Sequence, residues 1–574
     1  MKAALVAILL VLSASCSKSS GPARGVLAIL RFENLTGDAS LDWMARGAAR
    51  QIGFQLEGVL VADSPQPSGE REQAIAAGAG RILYGYVSKN GDRLRLRAEM
   101  EDAASRKFAK SAEASGPLSA GLVPLANAVS RQLDPAARPL GAKNEAALST
   151  FVAGLNASDA PAAIDALSRS IAADPDFGAA YLALLQFSLG RQDRASAEKF
   201  LALARARGDA IPAVDRAKLD VFAAQLAGDT AAVAQSLGAL SKLTPTDPSL
   251  LRTLANTELA AKRYAAAIEY LKKALELQPG DPTLLNTLGY TRAYAGDLDG
   301  AVATLREYER VLPKDANPLD SIAEVHFYFG RFSEAEKLYR QAYERDPNFQ
   351  NAGPLIRSAL ARLMTGDVSG SETIFSEYER VRRAANDPVI EFTRARWDFL
   401  RGKRAEAIRK LEAFLGATRD RETAAIADCT ITVWLLETGD RAAAAKRRAC
   451  GFLANPQGAS FPNPVMRAIA LLLSKDFATT LPILRDLNTR AAPSPIETSG
   501  VMLAWALVET GNFEEAGKHL QFTPTPTAPA PAPFESLIFP RIFHLRAVVA
   551  EKKGDRAEAE RNERLYRTLS GSNP

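Results

Sequence analysis

The side chains able to do chemistry are few and scattered. His326, His519 and His544 are the three imidazoles of a 574-residue chain, each inside a helical period and far from the others. A lone histidine so placed is more often packed or solvated than a ligand or proton carrier. Ser196-Ala197-Glu198-Lys199 has the spacing at which a lysine can activate a serine, but it lies on an amphipathic helix after a turn, without the partner motifs such a nucleophile needs. Glu33, Asp38 and Asp42 are close enough in sequence for acid–base work. Their places around a turn and at a helix start are explained by the helix dipole, which favours acidic groups there. Cys429 and Cys450 stand ten before and eleven after Gly439. In two antiparallel helices joined at that glycine they lie at nearly the same height, as a disulfide or as two buried free thiols, since height alone does not fix the distance between Cα atoms. There is no His-Glu-x-x-His, phosphate-cradling glycine loop, nucleophile elbow or Cys-x-x-Cys pair. The sequence predicts no catalytic residue, no metal site and no cofactor. With 71 basic against 66 acidic residues the net charge is +5, and without a basic stripe nucleic acid is not an expected partner. No small-molecule substrate is evident either.

The elements around these residues begin with a leader. Met1-Lys2 is followed by the apolar run Ala3–Leu12 and then by Ser13-Ala14-Ser15-Cys16. Ten apolar residues suit a signal sequence, whereas a spanning helix needs about twenty. The cysteine after small residues resembles the bacterial lipobox, with Ser13 where that motif usually has Leu and Leu12 one place further back. The resemblance implies lipidation of Cys16, residues 17–23 as a flexible tether, and, with Ser17 rather than Asp next, an outer-membrane lipoprotein facing the periplasm.

Residues 24–133 read as a small α/β domain. Gly25–Phe32 is a buried strand, Asn34–Asp38 a turn, and Leu41–Leu56 a helix. Val59–Val61 and Glu70–Ala77 make a second strand and helix. Arg81–Ser88 and Leu94–Glu101 flank Lys89-Asn90-Gly91-Asp92, a hairpin signal in which Asn-Gly supplies two residues of positive φ. Leu118–Leu133 closes the domain as a helix. The stretches LAILRFENLTGDASLDWMARGAARQI and YGYVSKNGDRLRLRAEMEDAAS resemble the TolB amino-terminal-like domain. That family often joins this domain to tetratricopeptide repeats, and the resemblance implies a fold rather than an activity.

A ruler follows. Pro245, Pro279, Pro313 and Pro347 are spaced by 34 residues, and proline cannot continue a helix. In repeats starting at Pro248, Pro282 and Ala316, small residues recur at position eight (Ala255, Gly289, Ala323) and position twenty (Ala267, Ala301, Ala335). This matches the tetratricopeptide (TPR) pattern, except that Glu258, Arg292 and His326 replace the usual aromatic at position eleven. Tyr308 stands where Ala274 and Ala342 stand in the neighbouring repeats, predicting looser packing there. Turn marks at 190, 228, 262, 296, 330, 366, 402, 439, 475, 511 and 554 give eleven hairpins, and Ser158-Asp159 a twelfth.

The expected fold is therefore mainly α: a right-handed α-solenoid of TPR-type hairpins over residues 144–520, preceded by the α/β domain. A Pro/Thr-rich loop (521–533) and a C-terminal hairpin (534–568) follow. In TPR arrays, positions five and nine of the first helix face the concave side. Here they are Arg252 and Asn256, Asn286 and Tyr290, and Asp320 and Glu324, a predicted groove for a partner's peptide or helix. The expected function is a non-enzymatic protein-binding scaffold on the bacterial envelope, with other proteins as partners and the membrane reached through the N-terminal lipid. The alternative is a regulatory or sensory relative of TolB-like-plus-TPR signalling proteins that has lost a DNA-binding or cyclase module. A hydrolase hidden in the α/β domain is the third reading.

Overall fold

The computed structural model describes residues 26–56, 59–61, 70–76, 79–103, 105–457, 460–490, 498–524 and 534–570. The leader with Cys16, the tether and most of the Pro/Thr-rich segment lie outside the described residues. The chain divides into two compact units, Met1–Leu285 and Asn286–Pro574. The sequence pattern had put the first boundary between the α/β domain and the hairpins, at 134–143.

The first unit opens with a six-stranded sheet: β1 (Val26–Ile29), β2 (Glu33–Leu35), β3 (Val59–Val61), β4 (Ala79–Asn90), β5 (Arg93–Asp102) and β6 (Phe108–Pro117). The order is β3-β1-β4-β5-β6, with β2 pairing β4 off that path. β1 runs parallel to β3 and β4, while β4, β5 and β6 form an antiparallel meander. Helices α1 (Asp42–Gln55), α2 (Glu70–Ala76) and α3 (Val123–Leu133) complete the domain. On β5 the arginines at 93, 95 and 97 face outward and Leu94, Leu96 and Ala98 are buried, as period-two alternation requires.

Four local expectations change. The first strand stops at Ile29, and Glu33–Leu35, expected within a turn, pairs with Tyr86–Ser88 as β2. The hairpin turn has Gly91 alone at positive φ, because Asn90 already pairs with Arg93; glycine first in a two-residue turn is the II′ arrangement. Leu118–Leu133 breaks at Gly121, where φ is +76°. Strand β6 was not expected at all. Its sequence FAKSAEASGP is exposed at most positions, so no apolar alternation marks it. Gly85 on β4 is a requirement of close approach, since a Cβ there would lie 2.1 Å from the carbonyl oxygen of Arg97.

Four hairpins follow in the first unit: α4 (Glu145–Asn156) with α5 (Ala160–Ala173), α6 (Gly178–Gly190) with α7 (Arg194–Arg205), α8 (Ala213–Ala227) with α9 (Thr230–Leu243), and α10 (Pro248–Ala260) with α11 (Tyr264–Leu277). The sheet, α1 and α3 share one apolar cluster with the helices from α4 to α8. Phe54, Phe151 and Phe177 meet edge-on across that junction. Gln51 and Gln55 cross it as well, donating to the carbonyls of Ala142 and Leu140 at 3.1 and 3.0 Å. One apolar core is thus shared across residues 134–143.

The second unit holds eight hairpins. They are α12 (Pro282–Tyr294, entered from the first unit) with α13 (Leu298–Val311), α14 (Asn317–Tyr328) with α15 (Phe332–Arg345), α16 (Gly353–Met364) with α17 (Val368–Ala384), and α18 (Ile390–Leu400) with α19 (Arg404–Ala417). Then come α20 (Arg421–Glu437) with the short α21 (Arg441–Ala445), α22 (Pro464–Leu473) with α23 (Phe477–Arg490), α24 (Thr498–Glu509) with α25 (Phe513–Lys518), and α26 (Glu535–Lys552) with α27 (Arg556–Ser570).

The turn marks have a physical basis. Gly228, Gly296, Gly330, Gly366, Gly402, Gly439, Gly511 and Gly554 all have positive φ, as do Lys262 and Lys475. At the remaining mark the left-handed residue is Gln192 rather than Gly190. The aspartate that often follows does a second job. Asp229, Asp297, Asp367 and Asp440 accept backbone N–H bonds in the first turn of the next helix, each such cap contributing about 1 kcal/mol. The small residues at positions eight and twenty are fully buried; a Cβ on Gly289 would sit 2.5 Å from Leu305 Cγ. Arg292, in place of the usual aromatic, donates to Gly300 O at 2.9 Å and Thr304 Oγ1 at 2.7 Å, tying its hairpin together by hydrogen bonds. Tyr308 is buried, with its hydroxyl accepting from Asn317 Nδ2 at 2.9 Å, so the larger side chain is accommodated rather than leaving a loose repeat.

Candidate partner-binding site

The six groove positions have different fates. On α10, Asn256 is exposed and Arg252 half-exposed, and neither side chain is hydrogen-bonded or ion-paired among the described residues. Asn286 keeps its Oδ1 buried without a hydrogen-bond partner.

Tyr290 on α12 and Asp320 and Glu324 on α14 come together, bonded to the protein's own side chains, with Asp320 buried and the other two half-buried. The Tyr290 hydroxyl donates to Glu324 Oε2 at 2.5 Å. The Tyr290 ring lies 6.2 Å from that of Tyr294 and 6.5 Å from that of Tyr328. Burial, reinforced by the Glu324 carboxylate, holds the Tyr290 and Tyr328 phenols well above their ordinary range, so both stay protonated donors. Asp320 is 6% exposed and accepts from Arg357 Nη2 at 2.6 Å. Burial pushes Asp320 up to about 6, against the pull of Arg357 and helped by Glu324. Arg357 also donates to Gln350 at 2.8 Å and lies 5.5 Å from the Tyr339 ring centre. At these two groove positions the carboxylates are engaged within the chain: Asp320 by Arg357 of the next hairpin, and Glu324 by the Tyr290 hydroxyl.

The C-terminal hairpin is also largely internal. Helix α26 buries most of its residues from Leu537 to Ala550, with His544 left on the surface, and packs on α18, α20 and α24 as well as on its own partner α27. Trp434 donates to Ser536 Oγ at 2.7 Å, Arg396 pairs with Glu535, and Arg541 pairs with Glu437 at 3.2 Å while lying 3.7 Å from the centre of the Trp505 ring. The last hairpin thus covers parts of α18, α20 and α24.

The other chemical candidates resolve into structure. Cys429 on α20 and Cys450 just after α21 are joined as a disulfide with Cα atoms 4.9 Å apart, fastening a second helix of only five residues. Ser196 donates through its backbone N and Oγ to the capping Asp193 at 3.0 and 2.7 Å. Asp38 accepts from Ser40, and Asp42 from Asn34. His326 is half-buried, and burial lowers its pKa. His544 lies on the surface 3.8 Å from Glu563. Among the described residues no group of three or more His, Cys, Asp or Glu could hold a metal, and no helix is long and apolar enough to cross a membrane.

Two tetratricopeptide repeat models match the chain, at residues 258–323 and 318–349. No curated protein matches it. Among solved structures, MamA is 18% identical, covering 30% of this chain and 92% of its own at a TM-score of 0.26. YrrB, described as a TPR protein with an unusual peptide-binding site, is 15% identical, with coverages of 32% and 94% and a TM-score of 0.28. A tetratricopeptide repeat protein from Parabacteroides merdae is 16% identical, with coverages of 46% and 98% and a TM-score of 0.31. The chain thus carries TPR repeats in a mainly helical, TPR-type solenoid with a small α/β region at its start.

Proposed function

We propose that this chain is a non-enzymatic scaffold that binds other proteins and is held at a bacterial envelope by a lipid on Cys16, with its sheet domain of the TolB amino-terminal-like kind. TPR repeats are in general protein–protein interaction modules, which supports the first part. The leader and lipobox-like Ser13-Ala14-Ser15-Cys16 support the second, and the stretches 27–52 and 84–105 the third. The observation that carries the binding role is the state of α10. Arg252 and Asn256 stand at the two groove positions and have no hydrogen-bond or ion-pair partner among the described residues, whereas Asp320 and Glu324 are spent on internal bonds. The partner contact therefore belongs to the α10 face.

A photo-crosslinking amino acid placed at Arg252 should yield a defined protein adduct in intact cells, and one at Asp320 none. Adducts from Asp320 alone, or from neither site, would reject the assignment. Replacing Cys16 with Ser should abolish labelling by a fatty-acid probe and move the protein from the membrane to the soluble fraction; an unchanged distribution would refute the anchor.

A further inference from the structure

A cavity of about 930 Å³ lies within the second unit, between the turns that follow α14 and α16 and the C-terminal hairpin α26–α27. Its size falls in the range of small-molecule sites. Five cations line it, Arg331, Arg546, Lys553, Arg561 and Arg564, against two carboxylates. Both carboxylates are already engaged. Asp555 caps α27 by accepting from the Glu558 backbone N–H at 3.0 Å, while Glu558 pairs with Arg561 and accepts from Asn562 Nδ2 at 2.7 Å.

Arg546 is the most enclosed of the five. Its Nε and Nη1 donate to Leu520 O at 2.6 Å and Thr523 Oγ1 at 2.8 Å, both neutral acceptors. No carboxylate among the described residues pairs with it, nor with Arg331 or Lys553. Burial alone pushes the Arg546 guanidinium down to about 10. A cation stripped of water is normally compensated by a counter-charge, and here the fold supplies the two hydrogen bonds that aim it and the Phe543 ring, 5.8 Å from the guanidinium carbon, but no carboxylate among the described residues. Apolar wall is also present, from Phe332 and Phe543. The excess of cations over carboxylates in the lining opposes a metal cation.

We propose that this cavity binds a small organic polyanion, a molecule with two or more phosphate or carboxylate groups, anchored by Arg546 and met at the rim by Arg331 and Lys553. Guanidinium groups suit both phosphate and carboxylate through paired N–H donors. The site shares no residue with α10 and is independent of the scaffold reading.

Isothermal titration of the full chain with pyrophosphate and, separately, citrate tests this. One-site saturable binding of at least one probe is expected, the tighter one identifying phosphate or carboxylate as the ligand group. Arg546→Gln should weaken that binding at least tenfold. Because Arg546 also holds Leu520 and Thr523, the exposed double variant Arg331→Gln/Lys553→Gln serves as the second test, with a weakening of about threefold or more at an unchanged melting temperature. Absence of saturable binding by both probes, or binding undiminished in the double variant, would overturn the proposal.

Discussion

The two units solve the same problem differently. In the first, the hairpins lean on a sheet: α1 and α3 bury their faces against both the strands and α4 to α8, giving one mixed core. In the second, the described residues form no sheet, and the hairpins pack on their own last pair, with most of α26 buried. A stack of hairpins leaves an apolar or polar inner side that something must cover or solvate. The first unit leaves Arg252 and Asn256 to solvent; the second turns the equivalent carboxylate at 320 into half of a buried ion pair. Identical repeat positions thus end unpaired in one place and in a buried ion pair in another, according to what packs over them.

The contrast can be broken by substitution. If α26 is core rather than a loose occupant, Phe543→Ala should cost about 3–5 kcal/mol, as for other buried phenylalanines. Denaturant unfolding reads this, and a loss below about 1 kcal/mol would show a detachable helix. Arg357→Leu leaves Asp320 buried without its counter-charge and should also cost about 3–5 kcal/mol, whereas adding Asp320→Leu should restore most of it; a single variant as stable as the wild type would place the pair outside the core.

Smaller effects sharpen the picture. Removing the cross-link with Cys429→Ser/Cys450→Ser should cost about 3 kcal/mol for a loop of 21 residues. In denaturant without reductant the native pair should offer no reactive thiol, and two would refute the bond. Lys475→Gly relieves a left-handed residue at its turn and should gain about 0.5–1 kcal/mol; a loss would mean the lysine side chain has a role of its own. Arg252→Ala should change stability by less than about 0.5 kcal/mol, as for other surface side chains, and a cost above about 1 kcal/mol would assign it to the fold.

Much of the architecture was legible because its causes are local. A left-handed residue followed by a capping aspartate ends one helix and starts the next within a few residues, so Gly-Asp at 228, 296, 366 and 439 could be read without knowing what they pack against. The small residues at 255, 289, 267 and 301 report a helix–helix distance that recurs with the period. Strand β6 escaped because its side chains mostly face solvent and its identity lies in backbone pairing with β5. The cavity around Arg546 escaped because Arg331 and Lys553 are more than two hundred residues apart.

The sequence by itself settled the repeat, the turn positions, the helical class and the lack of any catalytic motif, since each depends on backbone preference and side-chain size along a short stretch of chain. The tertiary structure alone decided where one compact unit ends, that Asp320 meets Arg357, that Cys429 meets Cys450, and that α26 packs on the hairpins before it. Those outcomes turn on burial and on charges met across long separations, and whether a polar side chain is left for a partner is set by what finally stands next to it.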